Sequence, residues 1–506
     1  MVSDTRREFL LKGGMLAGSV FATSKARLVK AATQSESLLE LSAVRAVSAM
    51  RSGDISAEAY ASALLDRCEL LKELNAFIAL DRNKVLEAAR ETDQRRAAGD
   101  SLGVLHGLPL PVKDSIDTKD YPTTGGTPGL RNSHPVQDAA VLDRLRSAGA
   151  IVLGKTNLHE LSYGWTSNNE AFGPVHNPYD VSRIPGGSSG GTAVAVATRM
   201  APAGLSEDTC GSIRVPAALC GIAGLRPTTL RWPQRGVIPV SAMSDTVGPH
   251  ARTVSDLALL DSVVTGSPIA LRPAPLGGVR LAVSPHYFFS GLDVEVEKIT
   301  RDAIKRLSDH GAEIVEIDVP DLKKLIEAAN FPILQFETVP SINQYLKESG
   351  LGLTFDDLIS QASPGVRWVL ENYAIASGKF FPPKAVYEEA RKTHRPALQA
   401  TFRRYFRDNG IAALIVPPTL CPATSIGVEA DIEVAGQKVP VFVAYARNIA
   451  PGSCAALPGL VLPAGLTSTG MPVGVEFDAP VGKDRDLLAL GVSLEKALGP
   501  VPAPSV

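Results

Sequence analysis

The chain has 506 residues, of which 45% are hydrophobic and 21% charged, so it is ordinary globular material with enough apolar surface for a large core. A formal net charge of −2 shows no basic excess, which excludes nucleic acid as the expected partner and favours a small neutral molecule. The cysteines (Cys68, Cys210, Cys220, Cys421 and Cys454) are scattered without a CxxC pair or a His/Cys cluster, a pattern that argues against a structural zinc.

At the amino terminus, Arg6-Arg7-Glu8-Phe9-Leu10-Leu11-Lys12 precedes a mildly apolar stretch (13–23) and an alanine-rich end at Ala31-Ala32. This order resembles a twin-arginine export signal. Residues 1–32 are therefore expected to be the signal and 33–506 the mature domain, periplasmic or secreted, or cytoplasmic if the signal does not act. Beyond it no apolar run is long enough to span a bilayer, so no membrane is expected as a partner of the mature form.

Apolar residues at helical spacing predict helices over 37–50, 56–71 and 84–97, with Ser56 as a cap. The stretch LHGLPLPVKDSIDT (105–118) reads as a short strand running into a loop that holds Lys113. A helix over 138–148 stops at Gly149 and a buried strand follows over 150–154, the rhythm of a mixed or parallel sheet. Residues 158–177 read as a loop carrying Tyr163 and Trp165.

The stretch 184–228 consists of a glycine-serine turn, an alanine-valine run and a second glycine-serine turn. Glycines gather where backbone must turn tightly or approach a ligand, so the two turns suggest one site. Further on, helices are expected over 253–264 (with Thr253 and Asp256 spaced to cap its start), 294–309, 383–408 and 484–498. Strands are expected over 277–284, 312–318, 412–417 and 459–465, the last with a hairpin partner at 471–476, and 423–439 is a polar excursion. With no internal repeat or linker, one large α/β domain is the simplest account.

Cleavage of an amide or ester needs a nucleophile, a base and donors for the oxyanion. Ser212 stands behind several backbone N–H groups in a tight turn and suits the first role, although the same serine also suits a helix cap. The base is open between His159, His176 and Lys113; a lysine serves if burial lowers its proton affinity. Residues 187–191 also satisfy GxSxG, which would make Ser189 the nucleophile of an α/β-hydrolase-like esterase, but 178–185 makes a poor preceding strand. A non-catalytic exported solute-binding protein is a further alternative.

Val112-Lys113-Asp114, then GGSSGG (186–191), then DTCGSIRVP (208–216) and CGIAGLRPT (220–228) together resemble the amidase signature family of serine hydrolases. The likeness runs from about Leu39 to the C-terminal helix and includes ALIVPPT (413–419) and LPGLVLPAGLT (457–467). It implies a single large domain, 33–506, with a mixed twisted β-sheet covered by helices on both faces. It also implies a triad of Lys113 as base, Ser188 as a relay serine on a cis peptide bond and Ser212 as nucleophile. The spacings agree, 75 residues from 113 to 188 and 24 from 188 to 212. The N–H groups of Thr209, Cys210, Gly211 and Ser212 would form the oxyanion hole.

The implied reaction is hydrolysis of a carboxylic amide, an aryl or arylalkyl amide, to acid plus ammonia or amine through a serine acyl-enzyme. No cofactor or metal is implied, and a homodimer is the assembly to expect, if any. A glutaminase subunit of a tRNA-dependent amidotransferase is a rival within the same fold, opposed by the leader. Tyr163, Trp165, Gly187 and Phe336 are expected to bind substrate, with Phe331, Trp368, Tyr373, Phe380 and Phe381 as further wall candidates. Three positions depart from the family: Cys210 stands where glycine is usual, and Ser206-Glu207 replaces Gly-Thr.

Overall fold

A computed structural model describes residues 38–506, and the expected export signal at 1–32 lies outside the described residues. The strands in chain order are β1 (Phe77–Ala79), β2 (Pro109–Lys113), β3 (Ile151–Thr156), β4 (Ala203–Asp208), β5 (Ala223–Arg226), β6 (Thr246–Ala251), β7 (Arg280–Val283), β8 (Glu313–Glu316), β9 (Ala413–Val416), β10 (Asp431–Val434), β11 (Gln437–Pro440), β12 (Gly459–Leu466) and β13 (Pro472–Asp478). Eleven of them form one sheet in the order β1-β3-β2-β4-β6-β5-β12-β13-β9-β7-β8, and β10 and β11 form a separate hairpin. Pairing is parallel for β2 with β3 and β4 and for β7 with β8 and β9, and antiparallel elsewhere, so the sheet is mixed.

Strands β2, β4 and β9 are buried at every residue, as expected of strands covered on both faces. Neighbouring residues of β12 show the two coverings, because successive side chains point to opposite faces. Leu460 meets Gly491 of the Asp484–Leu498 helix, whereas Val461 lies with Ala218 of the Arg214–Leu219 helix around Gly474. The result is a single α/β domain with a mixed sheet between helical layers.

Several helices match their sequence patterns closely. Ser56 caps Ala57–Leu70 through the Ala59 N–H, and Val294–Asp309 and Asp484–Leu498 match the ranges expected. Thr253 accepts from the Asp256 N–H, but the Asp256 carboxylate accepts from Val44 instead of closing a reciprocal cap.

Other elements differ. Lys113 is the last residue of β2, not a loop residue. The expected helix over 383–408 is two α-helices, Lys384–Glu389 and Arg395–Asn409, joined by a π-turn, Ala390–His394; Pro396, which lacks an N–H, sits at the start of the second. The polar excursion contains the β10–β11 hairpin, turned at Ala435-Gly436 with φ of 50° and 73°. The segments around Phe336 and Trp368 are helices, Leu322–Glu348 and Pro364–Tyr373.

Candidate active site

The parallel pairing of β2 with β4 sets the C-terminal end of one beside the other, which brings Lys113 next to Glu207. Lys113 is fully buried, and its Nζ donates to Ser188 Oγ at 2.6 Å and to the Glu207 carboxylate. Burial penalises the ammonium and pushes Lys113 below the usual lysine range, while the Glu207 charge opposes that shift. Ser162 Oγ donates to the same Glu207 oxygen at 2.6 Å.

Ser188 follows a cis peptide bond from Gly187. The turn has no room for a side chain, since a Cβ on Gly187 would come within 2.8 Å of the Thr166 and Ser167 nitrogens. The Ser188 carbonyl accepts from His159 N–H at 3.0 Å and Ser167 Oγ at 3.2 Å. Ser189 then clips the first loop to the second. Its N–H donates to the Ser212 carbonyl at 3.3 Å, and its hydroxyl to the Glu207 carbonyl at 3.2 Å.

The second loop folds around Asp208 at the end of β4. The Asp208 carboxylate accepts from the N–H groups of Gly211 (2.7 Å) and Ile213 (3.1 Å), from Arg214 Nε (3.0 Å) and from Arg226 Nη1 (3.0 Å). Burial alone would raise its proton affinity, but Arg214 and Arg226 outweigh it and hold the carboxyl well below the usual carboxylate range. Asp208 and Arg214 thus brace the loop.

Among the described residues the N–H groups of Thr209, Cys210 and Ser212 have no protein acceptor, whereas that of Gly211 is spent on Asp208. The expected set of four oxyanion donors is thereby reduced to three. Ser212 does not cap the following helix: Arg214–Leu219 is flanked by Ile213 and has no side-chain cap.

Cys210 is buried, and burial pushes its thiol up to about 11, so it is a poor rival nucleophile. Its carbonyl accepts from Trp165 Nε1 at 2.8 Å, and Thr209 Oγ1 donates to Asp245 at 2.6 Å. Burial, reinforced by the Glu207 charge, raises Asp245 to about 7.

Asp245 is also the link to a cleft of 540 Å³, whose walls include Phe336, Pro340, Tyr345 and Tyr387. Phe336 stacks on Tyr387 with ring centres 4.1 Å apart. Tyr163 reaches the Leu322–Glu348 helix through its hydroxyl contact with Thr338. Trp368 and Phe380 are exposed and do not line this cleft.

The histidines are placed for structure. His159 bonds Thr166 and burial pushes it down to about 4, and His176 bonds the Val181 carbonyl. Among the described residues no group of three or more His, Cys, Asp or Glu side chains is arranged to hold a metal ion. Sequence reasoning passed over Glu207 as the neighbour of Lys113, Ser162 as the partner of Glu207, and Asp245 altogether. The one signal was the replacement at Ser206-Glu207.

The model of the amidase family matches residues 59–488. The chain belongs to the amidase family. As an amidase it is an enzyme that hydrolyses amide C–N bonds. It is 41% identical to an indoleacetamide hydrolase of Agrobacterium vitis over 89% of this chain and 95% of that one. It is 36% identical to a mandelamide hydrolase of Pseudomonas putida, covering 93% and 94%. A solved amidase structure superposes with a TM-score of 0.80 at 32% identity, covering 91% of this chain and all of the other.

The amidase fold corrects two sequence alternatives. An α/β-hydrolase elbow at Ser189 would need a strand running into it; the nearest strand, β4, comes after, and the Ser189 hydroxyl is occupied by the Glu207 carbonyl. A binding protein without turnover does not fit membership of a hydrolase family.

Proposed function

We propose that this amidase hydrolyses an arylalkyl amide to the carboxylic acid and ammonia or an amine, through an acyl-enzyme on Ser212. The observation that carries the reading is the buried 2.6 Å bond from Lys113 to Ser188, on a loop that Ser189 ties to Ser212. With its amine neutral, Lys113 accepts the proton of Ser188 as Ser188 accepts that of Ser212, and the Ser212 oxygen attacks the amide carbonyl. The free N–H groups of Thr209, Cys210 and Ser212 face the charge that develops on the carbonyl oxygen. The relay then returns a proton to the leaving nitrogen, and water, deprotonated by the same chain, releases the acid. No step calls for a metal or cofactor.

The acyl group is assigned from two sides. The indoleacetamide and mandelamide hydrolases act, by their names, on amides of aryl-bearing acids. The cleft beside the Thr209–Asp245 contact offers Phe336, Tyr345 and Tyr387 as apolar walls. Trp165, held on the Cys210 carbonyl, and Tyr163, in contact with Thr338, border the loops, but neither they nor Gly187 line this cleft.

Release of ammonia or amine from arylalkyl amides, anilides, carbamates and aliphatic amides tests the reading. Arylalkyl primary amides should be cleaved fastest, and Ser212→Ala should lower the rate by about 10⁴-fold or more. Undiminished hydrolysis by Ser212→Ala, or a preference for short aliphatic amides, would overturn it.

A further inference from the structure

Glu207 has no part in the relay just described, yet it is the strongest charge facing its lysine. Its carboxylate contacts Lys113 Nζ, is held by Ser162 Oγ at 2.6 Å on the same oxygen, and is almost completely buried. The side chain comes from β4 and the lysine from β2, so the pairing is fixed by the sheet and not by a mobile loop.

The other titratable groups facing Lys113 are accounted for. Asp208 is neutralised by Arg214 and Arg226, while burial pushes both His159 and His250 down to about 4, leaving them uncharged near neutrality. Asp245 acts from farther off and holds the amides of Val240 and Ser241. Glu207 alone touches the ammonium.

We propose that Glu207 is a positioning residue for the lysine base: it anchors Lys113 against Ser188 and, as its counter-charge, sets the pH above which amide hydrolysis switches on. The proposal rests on the assignment of Lys113 as the base. A buried ammonium with a carboxylate in contact keeps its proton to higher pH than one without, because the pair is attracted strongly where water does not screen it. The relay needs the neutral amine, so the carboxylate delays activity on the acid side while it orients the amine. The charge costs rate near neutrality and supplies geometry.

The test is the pH profile of kcat/KM for the purified enzyme on an arylalkyl primary amide, with Glu207→Gln, Ser162→Ala and Lys113→Ala as variants. In Glu207→Gln the amide keeps a hydrogen-bond partner for Nζ but removes the charge, so the acid limb should move down by about 1–3 pH units. In Ser162→Ala the carboxylate loses a competing donor and its charge falls more fully on Lys113, so the limb should move up. That variant decides the matter if Glu207→Gln does not fold.

Inactive Lys113→Ala, together with acid limbs unmoved in the other variants, would overturn the role of Glu207 and leave the lysine relay standing. Near-normal activity of Lys113→Ala would remove the relay itself.

Discussion

Two lysines lie fully buried on neighbouring strands of this sheet, Lys113 on β2 and Lys155 on β3, and because Lys155 is opposite Val112 and Lys113 opposite Thr156 they point to opposite faces and do different work. Lys155 is 3.0 Å from Asp114 and also donates to the Ile116 carbonyl and Thr123 Oγ1, both at 2.8 Å. Its donors are saturated, and it pins the chain as it leaves β2, which holds Lys113 in place. Lys155→Met would strand the Asp114 carboxylate in the core and should destabilise the fold by about 3–5 kcal/mol in urea unfolding. A change below 1 kcal/mol would mean that the pair does not brace the turn.

Lys113, Ser188 and Ser212 were singled out by the resemblance to the amidase signature motifs, and the fold sets Lys113 against Ser188 and ties the neighbouring Ser189 to Ser212. Glu207 was visible only as an odd residue. Its meaning depends on β2 and β4 being neighbours, a contact across 94 positions that no local pattern encodes. The commitment of the Gly211 amide was hidden in the same way, since only the folded loop shows Asp208 turned back on its own backbone.

At the level of elements, the Gly190–Ala197 helix is the hinge of the arrangement. Every residue in it is buried, and it carries Ser188 and Ser189 on its amino-terminal side. Close packing at that end depends on Gly191, where a Cβ would collide with the carbonyl oxygens of Ala76 and Asn157. Gly191→Ala should therefore cost about 1–3 kcal/mol by overpacking. It should also lower kcat by displacing Ser188 from Lys113, with KM less affected. Unchanged kcat would show that the loop position is independent of the helix.

The helices Val294–Asp309 and Asp484–Leu498 were readable from their 3.6-residue repeat, whereas Leu322–Glu348, with Pro332 and Pro340 inside it, was not. Nor was strand β4. Its Ser206-Glu207-Asp208 end looks like a surface turn, yet it is buried because His250, Lys113, Arg214 and Arg226 supply partners. Polar residues that are satisfied only in three dimensions break the alternation on which strand recognition relies.

Across the whole molecule, the mixed sheet makes one site from distant parts of the chain. Arg214 joins the loop of Ser212 to Glu476 on β13 at 2.6 Å and to Ser453, so the C-terminal third braces residues more than two hundred positions earlier. Phe336 and Tyr345 reach the cleft from the Leu322–Glu348 helix, which continues through Pro332 and Pro340. The broad class of fold followed from alternating helix and strand signals, but strand order followed from none of them. That order is what brings Lys113, Ser188 and the loop of Ser212 together.

Trapping the intermediate decides whether Ser212 carries the acyl group. The enzyme is mixed with an arylalkyl ester or amide, quenched in acid within the first turnover, and the adduct is located by peptide mass. One acyl group is expected on the peptide containing Ser212, absent from Ser212→Ala. An adduct on Ser189 or Cys210, or one that persists in Ser212→Ala, would contradict it.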